Sequence, residues 1–427
     1  MTNPRPAPPN LICLWTDRLH IGYLGAYGNS WVQTPYFDAL AAESVLFDRY
    51  FTSSLDLVPL CRAFWEGKDP LSPEPAAGAN LSPAPKKHGL IGQLWKKGKA
   101  LPRARLLAEL ENAGYRTVFL TDDAAAAALA EEAGFSKTVL LPAAGAIAGS
   151  LEETAFYTAM TRAASAAERL ARSKHPFFLW IHLKGWGGVW DFPMEARVRA
   201  REDDDDPPPY DAAEPPFFRE GKEFDFDLQR AVAETYAAGI SVWDSSLGEL
   251  TARLADSGVL ENSAFFLGSL RGFPHGEHRR VGVSSEEPGL LYFEEIHLPL
   301  LYRPAGDGGE AVRTFGLCGP DDLFGAFLRL AGSPQDRGTL LELASEEAEA
   351  IRSFLSVTQS DSGSRRQGVV TDQWYYLRDR TGTLPKRELY LCPNDRWNVN
   401  EVADRVGDEI LGELDRKIGS GGFARFL

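Results

Sequence analysis

The sequence predicts an α/β protein on a doubly wound sheet. A small C-terminal subdomain with an antiparallel sheet and a terminal helix follows. Three observations predict this. Short runs that are apolar on both faces recur along the chain, as in strands covered by helices on both sides. Helix-length runs lie between them, the alternation that builds doubly wound folds. Past residue 345 the character changes to strands joined by turn residues. The expected domains are therefore 1–345 and 346–427.

The strand candidates are "NLICLWT" (10–16), "YRTVFLT" (115–121), "PFFLWIHL" (176–183), "NSAFFLGS" (262–269) and "LPLLYRP" (298–304), all read as central parallel strands. The helix candidates begin with "TPYFDALAAES" (34–44), where Pro35 suits a first turn. "LLAELENAG" (106–114) has Gly114 as its stop. An alanine-rich run over 152–173 and a long run over about 226–257 follow. In the last segment "QWYYLRD" and "ELYLC", joined by "RTGTLPKR", read as a hairpin before a helix over about 399–418. The acidic, proline-rich "REDDDDPPPYDAAEPP" (201–216) reads as a solvated loop or lid. Its consecutive aspartates lack the alternate spacing that wraps a calcium ion.

The chain has 427 residues, 44% apolar and 25% charged, the composition of an ordinary globular protein. A formal charge of −15 argues against nucleic acid as a partner, because nothing like a basic stripe is present to neutralise phosphates. The one basic cluster, "KKHGLIGQLWKKGK" (86–99), reads as a solvated loop rather than an anion site. The four cysteines are widely spaced without CxxC pairs, which suits free thiols in a reducing compartment. No run approaches the roughly 18 apolar residues of a membrane span. The N-terminus lacks an apolar signal core, so no membrane partner and a cytoplasmic location are expected.

A thiol beside a cation near a helix start is a common way to activate a nucleophile, and "LVPLCRAFWEG" sets Cys61 beside Arg62. The wider pattern decides how to read it. "PNLICLWTDRLHIGYLGAYGNSWVQTPYFDALAAESVLF", "LLAELENAGYRTVFL", "HPFFLWIHL", "YAAGISVWDSSLGELTARLADSGVLENSAFFLGS", "LLYFEEIHLPLLYRP" and "DQWYYLRDRTGTLPKRELYLCPNDRWNVNEVAD" lie in order along the chain. Together they resemble the sulfatase branch of the alkaline-phosphatase superfamily over nearly its whole length.

The resemblance implies an alkaline-phosphatase/sulfatase-like doubly wound sandwich with a large mixed, mostly parallel sheet, and a definite chemistry. In that family a formylglycine made from cysteine, or a Thr or Ser, attacks a sulfate or phosphate ester. One divalent cation, held by carboxylates and an amide or imidazole, activates it. Lysine, arginine and histidine side chains neutralise the developing charge. The first strand of the family ends in two acidic ligands, and here the pair is Asp17 and Arg18. A later strand ends in Asp followed by Asn or His, and here Leu270 and Arg271 stand there. The nucleophile of the motif Cys-x-Pro-x-Arg falls on Val58 when anchored on Arg62, or on Leu57 when anchored on Pro59. Neither side chain can attack, and Cys61 is read as an inert, partly buried thiol. The family's supporting lysines and histidines fall on Asp122, Ala124, Trp186 and Pro288. Only Asp17 and Arg62 are kept. The resemblance therefore implies loss of the divalent-cation site, with no catalytic residue, no metal and no cofactor expected.

Several residues keep two readings. His275 and His278, in "PHGEH" with Glu277, are turn residues or a metal pair. His182 is a core histidine or a catalyst. Trp186, Trp190 and Phe192 pack over a vacated pocket or form a stacking platform for a sugar. Arg18, Arg62 and Arg271 are expected to converge on Asp17 and Asp122, guanidinium charge replacing the lost ion. A variant has the three arginines bind a sulfate, phosphate or sulfated-glycan anion. The function expected is a sulfatase-like pseudoenzyme, a binding, scaffold or regulatory subunit partnered by itself or by an active sulfatase relative. The rival is a hydrolase of sulfate, phosphate or phosphonate esters with a non-standard site.

Overall fold

A computed structural model of the chain describes residues 8–68, 103–203, 205–219, 221, 225–284, 287–333, 339–359, 366–379 and 387–419. The basic stretch 86–99 and the turn 380–386 lie outside them. The run NLICLWT forms β1 (Asn10–Thr16), and its alternate side chains enter two different cores. Ile12 and Leu14 join one core with helices Ala155–Ala171 and Phe226–Asp256. Leu11, Cys13 and Trp15 join the other with helices Leu57–Glu66, Arg105–Asn112 and Pro320–Leu330. Successive residues of a strand point to opposite faces, so a strand covered on both sides must be apolar throughout.

The remaining strands in chain order are β2 (Val45–Phe47), β3 (Arg116–Thr121), β4 (Lys137–Leu140), β5 (Phe177–Leu183), β6 (Phe217–Arg219), β7 (Ser263–Gly268), β8 (Arg280–Gly282), β9 (Leu300–Arg303) and β10 (Val312–Thr314). The main sheet runs β10-β2-β9-β7-β1-β5-β3-β4, while β6 and β8 form a separate antiparallel ribbon. β1 is central and parallel to both neighbours, with Leu14 opposite Ile181 of β5 and Leu267 of β7. The sheet is mixed because LPLLYRP departs from the parallel expectation. β9 runs antiparallel to β7 and β2. Between β7 and β9 the described residues hold β8 and a single helix, the four-residue Phe293–Ile296. That is too short to carry the chain back to the starting edge, so β9 re-enters from the edge where β7 ended.

The C-terminal strands β11 (Phe354–Gln359), β12 (Arg366–Thr371), β13 (Trp374–Asp379) and β14 (Arg387–Leu391) pair in sequence order, all antiparallel. One face of this sheet packs on Phe51, Leu291, Phe293 and Ile296 of the α/β layer. The other carries Leu411, Leu414 and Ile418 of the terminal helix. That helix spans Asp408–Gly419 and starts later than the sequence suggests. The N–H groups of Val399 and Asn400 go to the Asp395 carboxylate instead of a helical ladder. Among the described residues no helix is long and apolar enough to cross a membrane.

Candidate functional site

In an open α/β sheet, sites form in the crevice beyond the carboxyl ends of the strands. Asp17 follows β1 directly, Asp122 follows β3, Lys184 follows β5 and Arg271 stands three residues past β7. The backbone holds Asp17 from both sides. Its N–H donates to the Leu183 carbonyl at 2.8 Å, and its carbonyl accepts from Trp186 at 3.2 Å. Gly185 has φ 54, and a Cβ there would lie 2.1 Å from the Asp17 carbonyl oxygen, so only glycine lets the β5 loop close on β1.

Arg271 fills the space beside Asp17. Its Nε donates to Asp17 Oδ1 at 3.1 Å and its Nη2 donates to Oδ2, a two-point guanidinium–carboxylate fork. Its Nη1 donates to the Leu55 carbonyl at 2.9 Å. Burial alone would raise the Asp17 carboxyl, but the charges of Arg271 and Arg18 outweigh it and hold the group below its ordinary value. The divalent cation implied by the resemblance does not fit these residues. A guanidinium takes both oxygens of the remaining carboxylate, and a dication in reach of it would be repelled. Leu270 offers no ligand atom and is buried in the apolar core. Among the described residues no three His, Cys, Asp or Glu side chains are grouped to hold a metal.

The expected convergence of three arginines is corrected by the structure. Only Arg271 reaches Asp17. Arg18 takes a left-handed backbone (φ 65) and turns its Nη1 to the Gly272 carbonyl at 3.0 Å. Burial, with Arg271 nearby, pulls its pKa down to about 10. Arg62 lies in the helix Leu57–Glu66 and faces Glu66 one turn on, at 3.7 Å. Asp122 accepts the main-chain N–H of Lys184 at 2.8 Å and, among the described residues, pairs with no arginine. Burial pushes its carboxyl up to about 6. The charges of Asp17, Asp123 and Asp56 all act on Arg271 and outnumber that of the nearby Arg18, which disfavours an anion there.

Leu57 and Val58 open the helix that carries Arg62 and lie against the apolar core. Cys61 is in the same helix, buried, and its thiol is pushed up to about 12 by burial. His182 is buried at the end of β5, with burial lowering it to about 4 against the pull of Asp17. Trp186, Trp190 and Phe192 are all within 1% of fully buried, so none offers a face for a sugar. They pack with Phe156 and Tyr236 instead. Pro288 gives its carbonyl to Arg280 at 2.7 Å. A crevice at the strand ends lies to the β3 side, lined by Asp122, Lys184, Asp191, the edges of Phe156 and Phe192, and alanines, and Asp17 does not line it.

Sequence reasoning missed the groups that lock this arrangement. The Leu55 carbonyl is main chain and leaves no residue-type signal. Tyr236, inside the long helix, donates to the Arg18 carbonyl at 2.6 Å and accepts from the His20 N–H at 2.8 Å. Nothing in "AETYAAG" sets it apart from a packing tyrosine.

A family model described as Sulfatase matches residues 9–333. The chain belongs to the sulfatase family. It is similar to the steryl-sulfatase of Mus musculus, 39% identical over 67 residues, 16% of this chain and 11% of that protein. Arylsulfatase H of Canis lupus familiaris is 32% identical over 113 residues, 26% of this chain and 19% of that protein. These matches span less than a fifth of the relatives' own length. Among solved structures, a phosphonate monoester hydrolase of Agrobacterium radiobacter superposes with a TM-score of 0.68 at 16% identity, covering 96% of this chain and 95% of that one. Ps i-CgsB in complex with k-i-k-neocarrahexaose gives 0.68 at 15% identity, covering 97% and 92%. A protein bound to its substrate D-glucosamine-2-N,6-O-disulfate gives 0.67 at 14%, covering 97% of each. At these identities the likeness shows the fold. This sulfatase-family chain thus has the fold of these structures, and sets a guanidinium against the carboxylate that follows β1.

Proposed function

We propose that this sulfatase-family chain is a pseudoenzyme that takes no divalent cation and serves as a binding, scaffold or regulatory subunit. The single observation that carries this is the two-point hold of Arg271 on Asp17, both oxygens of the carboxylate being taken. The aliphatic Leu57 and Val58 at the nucleophile positions support it, as does the thiol of Cys61 being buried in its helix. Its partner is a protein surface, a second copy or an active sulfatase relative. A sulfate, phosphate or sulfated-glycan anion is the less favoured ligand, because Arg271 has Nε, Nη1 and Nη2 all engaged and feels the charges of Asp17, Asp123 and Asp56.

The rival reading, an ester hydrolase built on His275, Glu277 and His278, draws no support from their geometry. The His275 ring is enclosed by Tyr23, Tyr236, Phe273 and His20. Both ring nitrogens of His278 are engaged within the protein. Elemental analysis of the purified protein, combined with a panel of aryl sulfate, phosphate and phosphonate esters, tests the proposal. No stoichiometric metal and no turnover are expected. Turnover abolished by His278→Gln, with bound metal, overturns it.

A further inference from the structure

The loop between β7 and β9 meets the C-terminal subdomain at several buried polar contacts, one of which is built on His278. The His278 imidazole lies flat on the Tyr292 ring, centroids 3.4 Å apart and planes 8° apart. Its Nδ1 is 2.7 Å from Glu294 Oε1, and its Nε2 is 3.0 Å from the Asn398 carbonyl oxygen. A carbonyl oxygen and an ionised carboxylate only accept, while a neutral imidazole has one N–H to give. Filling both contacts requires one more proton. It sits on His278 as an imidazolium or on Glu294 as a carboxylic acid donating to Nδ1. When that proton leaves, two lone pairs face each other at one contact, whichever tautomer the ring adopts.

Asn398 makes this contact matter for the fold. It belongs to the segment between β14 and the terminal helix, is buried, and holds a left-handed backbone (φ 52). Its side-chain Oδ1 accepts the Phe293 N–H at 2.8 Å. One residue therefore joins the helix Phe293–Ile296, the His278 loop and the subdomain. We propose that His278, Glu294 and Asn398 form a proton-operated clasp, which holds the 392–400 segment on the α/β layer and loosens it as pH rises.

The charged surroundings favour keeping the proton. Glu277 lies on the same loop, and Glu295 follows Glu294 and pairs with Arg280 at 3.0 Å. Across the stacked ring, Arg366 of β12 lies 4.6 Å from the Tyr292 centroid and pairs with Glu388 of β14 at 2.5 Å. The Tyr292 hydroxyl bonds Glu388 at 2.9 Å. The second oxygen of Glu294 is buried with no hydrogen-bond partner among the described residues. Burial would lower His278, but the bond and charge of Glu294, the Asn398 carbonyl and Glu277 raise it above 6.5. Burial raises Glu294, and burial with Glu294 nearby pushes Glu277 up to about 7. All three shifts have one sign. Each group takes its proton more tightly in the folded state, so its stabilisation is full in acid and is lost as pH rises through the folded value.

Hydrogen exchange of the full chain, read by mass spectrometry on peptides covering 392–402 and corrected for intrinsic rate, tests the clasp. Between about pH 6 and about pH 9, either side of the histidine range, exchange is expected to quicken about tenfold in that segment. A β12 peptide should change far less. In Glu294→Gln the carboxamide donates to Nδ1 without the extra proton, leaving Nε2–H for Asn398, so slow exchange is expected at both pH values. In His278→Gln the pH dependence should fall well below that of the wild type, to what Glu277 and Glu294 contribute by themselves, which serves if Glu294→Gln does not fold. A wild-type segment exchanging equally at both pH values overturns the proposal. So does either folded variant retaining the wild-type pH dependence.

Discussion

Asp17 and Arg271, at the ends of the neighbouring strands β1 and β7, form a closed pair in which one guanidinium takes both carboxylate oxygens. Two further facts make it costly to break. Asp17 is 5% exposed and Arg271 19% exposed, so neither group returns readily to water when its partner is removed.

Arg271→Met should destabilise the protein by about 3–5 kcal/mol in urea unfolding, because it strands a buried carboxylate. Asp17→Asn should cost a comparable amount by stranding Arg271. The double variant Asp17→Asn/Arg271→Met should be more stable than the sum of the single effects. Additivity of the two losses would show that the pair is not coupled.

The pH dependence of the same pair has a definite sign. The folded carboxyl of Asp17 lies below its ordinary 3.8, so its contribution is complete above that value. The stability gap between wild type and Asp17→Asn should stay constant from neutral pH down to about 5 and shrink in stronger acid. A gap that shrinks between neutral pH and about 5 would contradict this.

Asp122 carries the opposite sign. Its carboxyl is pushed up to about 6 by burial, so its ionisation opposes folding above that value. Asp122→Asn should raise the melting temperature at neutral pH, and the gain should vanish below about pH 4. Thermal melts across that range check both halves.

Tyr236→Phe removes the hydroxyl that bridges the Arg18 carbonyl and the His20 N–H. Two buried main-chain groups then lose a partner, and a loss of about 1–3 kcal/mol is expected in urea unfolding. An unchanged midpoint would show that the loop is held without it.

Thiol labelling reads the last expectation. All four cysteines are buried, and Cys61 is raised to about 12. The native protein should leave all of them unlabelled by iodoacetamide at neutral pH, while the unfolded chain reacts fully. Fast labelling of Cys61 in the native state would reopen the case for a nucleophile beside Arg62.

The order of strands and helices could be read from patterning because burial on both faces forces each central strand to be apolar throughout. LPLLYRP shows the limit. Its composition matches the parallel strands, yet direction depends on where the chain re-enters the sheet, and an apolar run carries no mark of direction. The terminal helix shows another limit. Asp395 takes the N–H groups that would have begun it earlier, a competition between side chain and backbone that residue propensity leaves open.

The same division runs through the site. Residue chemistry is local, so the sequence alone shows that the Leu57 and Val58 side chains cannot attack an ester, and that the Arg18, Leu270 and Arg271 side chains carry no carboxylate for a cation. Where three arginines point is not local. Arg62 follows the phase of its helix to Glu66, Arg18 follows a left-handed backbone to Gly272, and Arg271 alone meets Asp17. Those directions come from helix phase, one positive φ and the register of two adjacent strands, and each is imposed by packing among segments hundreds of residues apart.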